Sequence, residues 1–107
     1  MDFEKEARNY HRRGASCAGS VYRAFADMNP HKTQAPIPRS EGGKCGAVLS
    51  AEKILHEMGI GKAEEFEKEF ITRFGSLKCF ELMGKNYGTC NDFVGAAASI
   101  VAELIKE

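Results

Sequence analysis

The chain has 107 residues, 43% of them hydrophobic, and its 15 basic and 15 acidic side chains give a formal net charge of zero. This length predicts a single domain over 1–107 with a sizeable core, and the balanced charge argues against a nucleic-acid binder, which would carry a basic excess. No apolar run approaches the roughly 18 residues of a membrane span, and residues 1–13 lack an apolar signal segment, so we predict a cytoplasmic protein without a membrane span.

The predicted elements, in chain order, are all helical. Apolar residues at helical spacing predict five helices, over 3–12, about 17–28, 45–58, 62–73 and 91–106. Ser16 is the predicted cap of the second helix, and a short helical turn is predicted at 79–83. Three prolines and a Gly-Gly pair predict a long loop over 29–44, which is either functional or a plain surface excursion. Strand alternation is absent. The fold prediction is therefore an all-α, compact bundle of about five helices plus the short turn.

Four cysteines each lie within one turn of a predicted helix start. They are Cys17, Cys45, Cys79 and Cys90. Unpaired backbone N–H groups and the positive end of the helix dipole favour a thiolate at such a position. Because cytosolic thiols are normally kept reduced, these residues predict redox or metal chemistry in preference to permanent disulfides.

The spacing of the cysteines requires the tertiary fold to assemble any shared site. Even the nearest pair, Cys79 and Cys90, is separated by ten residues, and there is no Cys-x-x-Cys of the kind found in zinc ribbons or thioredoxin-like pairs. The site could be a four-thiolate iron–sulfur cluster, a zinc site, or one or two redox dithiols, with Cys79–Cys90 the first choice for a disulfide. The alternative without chemistry is that the cysteines are small core hydrophobes, with Cys17 the strongest case.

Three histidines are further candidates as ligands or acid–base groups. His31 lies in the long loop and could swing over the site. His11 lies at the end of a charged helix, beside Arg12 and Arg13, and is predicted to be solvated. His56 lies about three turns beyond Cys45, so it is predicted to be a surface or partly buried group outside the site.

Cations and glycines near the cysteines complete the candidates. Arg12, Arg13 and Lys44 could stabilise a thiolate, although a solvated basic side chain is the more ordinary interpretation of each. The backbone of Gly43 and Gly46 is expected near the site and could contact a cofactor. The phosphate-loop and dinucleotide fingerprints are both missing.

Taken together, these motifs resemble a family of redox-active proteins named for a pattern of one cysteine, a Cys-Gly-Ala-x-x-Gly segment and two further cysteines. The resemblance covers about 14–104. The matching segments are 14–18 around the first cysteine, 42–47 with Cys45-Gly46-Ala47, 79–84 around the third cysteine, and Cys90 with the helix after it. The closing glycine of the central motif is Ser50 here, which could tighten or alter the site. The resemblance implies a redox role with all four cysteines as its signature, and no particular substrate.

The leading hypothesis is a redox protein whose four cysteines form one site, binding an iron–sulfur cluster or another metal for electron transfer to an unknown partner. The first alternative is a thiol–disulfide redox protein without metal. The second is a non-catalytic helical module with a structural zinc site. The sequence leaves open whether the protein is an oxidoreductase or an electron-transfer protein, and whether it forms a homo-oligomer.

Overall fold

The computed structural model describes residues 2–27, 29, 40–41, 44–78 and 89–106. Within these residues the fold is all-α, as predicted, with five helices: α1 Phe3–Arg12, α2 Cys17–Ala24, α3 Gly46–Glu57, α4 Ala63–Phe74 and α5 Cys90–Lys106. Inside the predicted loop over 29–44, the strands β1 Ser40–Glu41 and β2 Lys44–Cys45 form a short antiparallel pair, with Ser40 opposite Cys45. Apart from Asn29, the rest of that loop lies outside the described residues, as does the predicted turn at 79–83. None of the five helices combines the length and the apolarity that crossing a membrane requires.

The second helix ends four residues earlier than its periodicity predicts. The N–H groups of Phe25 and Ala26 donate to the carbonyls three residues back, of Tyr22 and Arg23, at 3.2 Å each. Bonds of this spacing tighten the chain into a turn and stop the α-helical ladder. The helix therefore ends at Ala24, and Phe25 packs into the core from the turn that follows.

Helix α5 is central, because it contacts each of the other four helices. Its residues from Phe93 to Ala98 are all buried, as expected for a helix surrounded by neighbours. The largest fully buried side chains of the core are Phe25, Phe66, Phe70, Phe93, Ile54, Leu55, Ile100, Val21, Val48, Val94 and Val101. Gly95 allows α1 to approach closely, since a Cβ there would overlap the guanidinium of Arg8.

The turn between α1 and α2 is fixed by a Schellman motif. The N–H of Gly14 donates to the His11 carbonyl, and the N–H of Ala15 donates to the Tyr10 carbonyl, both at 3.1 Å. Gly14 has a φ of 105°, a conformation that glycine adopts without a steric penalty. The end of α1 is therefore held beside the start of α2.

At the opposite end of α2, the Glu57 carboxylate joins this helix to α3. Its Oε1 accepts hydrogen bonds from the Tyr22 hydroxyl at 2.5 Å and from Asn29 Nδ2 at 2.9 Å. Lys53 Nζ lies 3.7 Å from its Oε2. Asn29 is only 3% exposed, so this carboxylate satisfies a buried amide as well as linking the two helices.

Candidate functional site

A cavity of about 360 Å³ lies where the starts of α2, α3 and α5 meet the end of α1. Its lining residues are His11, Ser16, Cys17, Ala18, Cys45, Gly46, Cys90 and Phe93. The structure thus brings three of the four cysteines to one cavity, although they come from three separate helix starts. Cys17 and Cys90 are half-buried, whereas Cys45 is 4% exposed.

Each of these three cysteines stands at the start of a helix, as predicted. Cys17 is the first residue of α2 and follows Ser16, whose hydroxyl caps the helix by accepting from Gly19 N at 3.0 Å. Cys45 is itself the N-cap of α3. Cys90 is the first residue of α5. Three helix starts, with their positive dipole ends, therefore lie at the same cavity.

The start of α5 is held by a reciprocal cap between Thr89 and Asp92. Asp92 Oδ2 accepts from Thr89 N at 2.9 Å, and Asp92 N donates to Thr89 Oγ1 at 3.2 Å. The Thr89 N–H, followed by the hydrogen bond from the Arg8 guanidinium, lowers the pKa of the Asp92 carboxyl from its ordinary value of 3.8. This cap fixes the backbone on either side of Cys90.

The start of α3 is tied to the segment that follows α4. The N–H of Cys45 donates to the carbonyl of Leu77 at 2.8 Å. Lys78 N donates to Ser76 Oγ at 3.0 Å, which closes a local turn at the same place. The described chain next to Cys45 is therefore the one that immediately precedes Cys79 in sequence, while Cys79 lies outside the described residues.

His11 belongs to the cavity, so the prediction that it is a solvated side chain is wrong. Its ring is half-buried, and Nε2 lies 3.7 Å from Cys17 Sγ. The physical reason is helical spacing, because His11 is four residues after Ala7, which is fully buried, and shares its face of α1. The charged neighbours Arg12 and Arg13 are exposed and are absent from the cavity lining.

A hydrogen-bond network missed by the sequence analysis supports His11 from its other side. Asn91 Nδ2 lies 3.2 Å from His11 Nδ1 and donates to the Arg8 backbone carbonyl at 3.1 Å. Asn91 Oδ1 accepts from Arg8 Nη1, also at 3.1 Å. Arg8 continues the network to carboxylate oxygens of Glu4 and Asp92. Asn91 and Asp92 lie 80 to 84 residues from their partners His11 and Arg8 in sequence, so no local pattern points to these contacts.

The remaining candidates divide into three groups. Gly46 lines the cavity as the first residue of α3. His56 is exposed on α3 and lies outside the cavity lining, as predicted. Gly43 and His31 lie outside the described residues, and so does the side chain of Lys44.

Metal binding stays a prediction at this site. Among the described residues, no group of three or more His, Cys, Asp or Glu side chains is placed to hold a metal ion. Cys79, which the four-thiolate hypothesis requires, is outside that part of the chain.

No protein-family model, curated protein or solved structure matches the chain. The resemblance to the four-cysteine family rests on the motif residues alone and stays a prediction. Function is argued below from the cavity and its side chains.

Proposed function

We propose that the protein is redox-active and that Cys17, Cys45, Cys79 and Cys90 form one thiol site at this cavity, which works by thiol–disulfide exchange. The observation that carries the proposal is the gathering of three cysteines around one cavity, with a histidine nitrogen 3.7 Å from one of the sulfurs. A hydrogen-bonding imidazole beside a half-exposed thiol at a helix start is the environment in which cysteines are reactive.

We include Cys79 in the site because the segment that immediately precedes it lies next to Cys45. The carbonyl of Leu77 is hydrogen-bonded to the backbone of Cys45, on the cavity wall. Two residues of chain span at most about 7 Å. Cys79 is two residues beyond Leu77, so we propose it as the fourth thiol of the same site.

The proposed reaction oxidises two protein thiols and reduces one disulfide. A thiolate of the site attacks a sulfur of a disulfide R–S–S–R′, forming a mixed disulfide and releasing R′S⁻, which takes a proton. A second thiol of the site loses its proton and attacks the same protein sulfur, so the intramolecular disulfide forms and RSH leaves. Two electrons pass from the protein to the substrate disulfide, and the reverse reaction returns them.

The cytoplasm suits this chemistry, and we propose that the protein works there. Cytosolic thiols are kept reduced, so the site would begin each cycle as thiols. The resemblance of the Cys45-Gly46-Ala47 segment to the four-cysteine family adds support, because it implies a redox role for the same four residues.

A metal centre is the second candidate, and the size and donor chemistry of the cavity favour it. Cysteine thiolates are the preferred ligands of iron–sulfur clusters and also bind zinc. A cavity of about 360 Å³ with three cysteines on its wall has room for a group larger than a water molecule. All four cysteines would hold such a group, and an iron–sulfur cluster would supply one-electron transfer.

Anaerobic preparation of the full chain, followed by metal and thiol analysis, tests both candidates. The metal-free fraction is then exposed to oxidised glutathione, its thiols are counted, and any disulfide is mapped by mass spectrometry. The four single Cys→Ser variants identify the participants, and His56→Leu serves as a matched control, because His56 is exposed outside the cavity.

Thiol–disulfide exchange predicts the loss of two thiols per chain, the recovery of one linked pair of site cysteines, and full reversal by a dithiol reductant. A protein whose four thiols all survive oxidised glutathione would overturn this reaction. Stoichiometric iron with sulfide and visible absorption would replace it with the cluster, whereas colourless protein with tightly bound zinc would replace it with a structural site.

A further inference from the structure

We propose that Cys17 is the thiol that attacks first, and that His11 is its positioning residue, held by Asn91 in the tautomer that directs an N–H at the sulfur. This inference rests on the proposed function and deepens it by naming the attacking thiol. It is carried by the hydrogen-bond geometry of four described residues: Arg8, His11, Cys17 and Asn91.

The orientation of the Asn91 amide follows from its two contacts with Arg8. Its oxygen faces the Arg8 guanidinium, which can only donate, and its nitrogen faces the Arg8 backbone carbonyl, which can only accept. Rotating the amide by a half-turn would place donor against donor and acceptor against acceptor. The amide nitrogen therefore also faces His11 Nδ1, at 3.2 Å.

The amide orientation in turn selects the tautomer of His11. The Asn91 NH₂ group has two hydrogens, of which one is directed at the Arg8 carbonyl and the other at His11 Nδ1. His11 Nδ1 must therefore accept, and the proton of the neutral ring resides on Nε2. Nε2 is the atom 3.7 Å from Cys17 Sγ, so the imidazole presents an N–H donor to the sulfur.

An N–H directed at Cys17 favours the thiolate, because hydrogen bonds to a charged acceptor are the stronger ones. Cys17 also stands at the first position of α2, where the helix dipole adds to the effect. Its side chain is half-buried on the cavity wall, so part of the residue stays exposed. In the first step, this sulfur bonds to one sulfur of the substrate disulfide, and the other sulfur departs with the electron pair and takes a proton from water.

The test measures the alkylation of Cys17 by limiting iodoacetamide at neutral pH, quantified by peptide mapping of the reduced full chain. His11→Leu removes the donor and places an apolar side chain in the same space. His11→Gln keeps an amide N–H on a side chain of similar reach. His56→Leu is the control, because this exposed histidine lies outside the cavity lining.

We expect His11→Leu to slow the alkylation of Cys17 by about tenfold, the effect of losing one hydrogen bond to a charged group. His11→Gln should stay within about threefold of the wild-type rate, since it restores the donor, and His56→Leu should leave the rate unchanged. A wild-type rate in folded His11→Leu, or equal losses in the Leu and Gln variants, would overturn the proposal.

A second measurement on the unmodified protein does not depend on whether a variant folds. In ¹⁵N spectra of the imidazole groups, we expect His11 to carry its proton on Nε2, with its signals assigned by their absence in His11→Gln. A proton on Nδ1 would overturn the proposal. Neither measurement uses a disulfide substrate. If the protein fails to exchange with oxidised glutathione but gives the expected result in both measurements, the proposed function is overturned and the proposed arrangement of His11 and Cys17 stands.

Discussion

Ser50 carries a buried hydroxyl that makes no hydrogen bond within the described part of the chain. The residue lies on α3 and is 0% exposed. Ser20, on α2, is buried to the same extent, but its hydroxyl donates to the Ser16 carbonyl at 2.7 Å. The two serines therefore form a matched pair in which the hydrogen bond differs, and replacing each by alanine separates the cost of a buried hydroxyl from the value of a bonded one.

The expected magnitudes follow from this difference. A buried polar group without a partner costs about 1–3 kcal/mol, and alanine gains roughly 0.5 kcal/mol over serine in a helix. Ser50→Ala should therefore raise the free energy of unfolding by about 1–2 kcal/mol, after some loss of packing. Ser20→Ala loses a hydrogen bond worth about 1 kcal/mol and recovers part of it through helix propensity, so it should be neutral or destabilising by roughly 0.5 kcal/mol.

Urea unfolding of the reduced protein, followed by far-ultraviolet circular dichroism, measures both changes if the slopes of the transitions agree. Ser50→Gly introduces a glycine at the same position. It removes the same hydroxyl, but the low helix propensity of glycine offsets the gain, so its stability should remain near that of the wild type. The reasoning is refuted if Ser50→Ala lowers the free energy of unfolding, or if the two alanine variants are equally stable.

Three further predictions concern the fold around the site. Gly14→Ala should lower the free energy of unfolding by about 1 kcal/mol, because the positive φ strains an alanine; an unchanged urea midpoint would contradict this. Glu57→Ala should cost about 2–3 kcal/mol, since the Tyr22 hydroxyl and the buried Asn29 amide each lose one hydrogen bond; a loss under about 0.5 kcal/mol in urea would show that this contact does not stabilise the fold. The lowered pKa of Asp92 means that its contribution to stability is complete above pH 3.8 and is lost as the pH falls through the lower folded-state pKa. Asp92→Asn should therefore flatten the pH dependence of the free energy of unfolding as the pH falls below 3.8, and parallel curves for the two proteins would refute the assignment.

The helices were predictable from the sequence because their signals are local. Apolar spacing, the Ser16 cap and the glycines after α1, α3 and α4 depend on residues within one or two turns of one another, and they place most helix ends within two residues. The exception is α2, whose early end depends on bonds three residues apart in the turn after Ala24. Apolar periodicity does not distinguish such a turn from one more turn of α-helix.

The cysteine positions were predictable for the same reason, whereas their surroundings were not. Cys17, Cys45 and Cys90 could be placed at helix starts by capping and glycine signals alone. His11 could have been found from its spacing to Ala7, had the buried face of α1 been weighed above its charged neighbours. The role of Asn91 required the packing of α1 on α5, which brings together residues from opposite ends of the chain.

The assembly of the cavity from three helix starts and the end of a fourth has a consequence for folding. In an unfolded chain, Cys17, Cys45 and Cys90 are distant, and closing the long loops between them is unfavourable before the helices pack. The thiols should therefore come together only late in folding, once α2, α3 and α5 have packed against one another. A folding chain would then spend most of its folding time without adjacent thiols, which limits incorrect disulfide pairing. The site forms only when the core has packed.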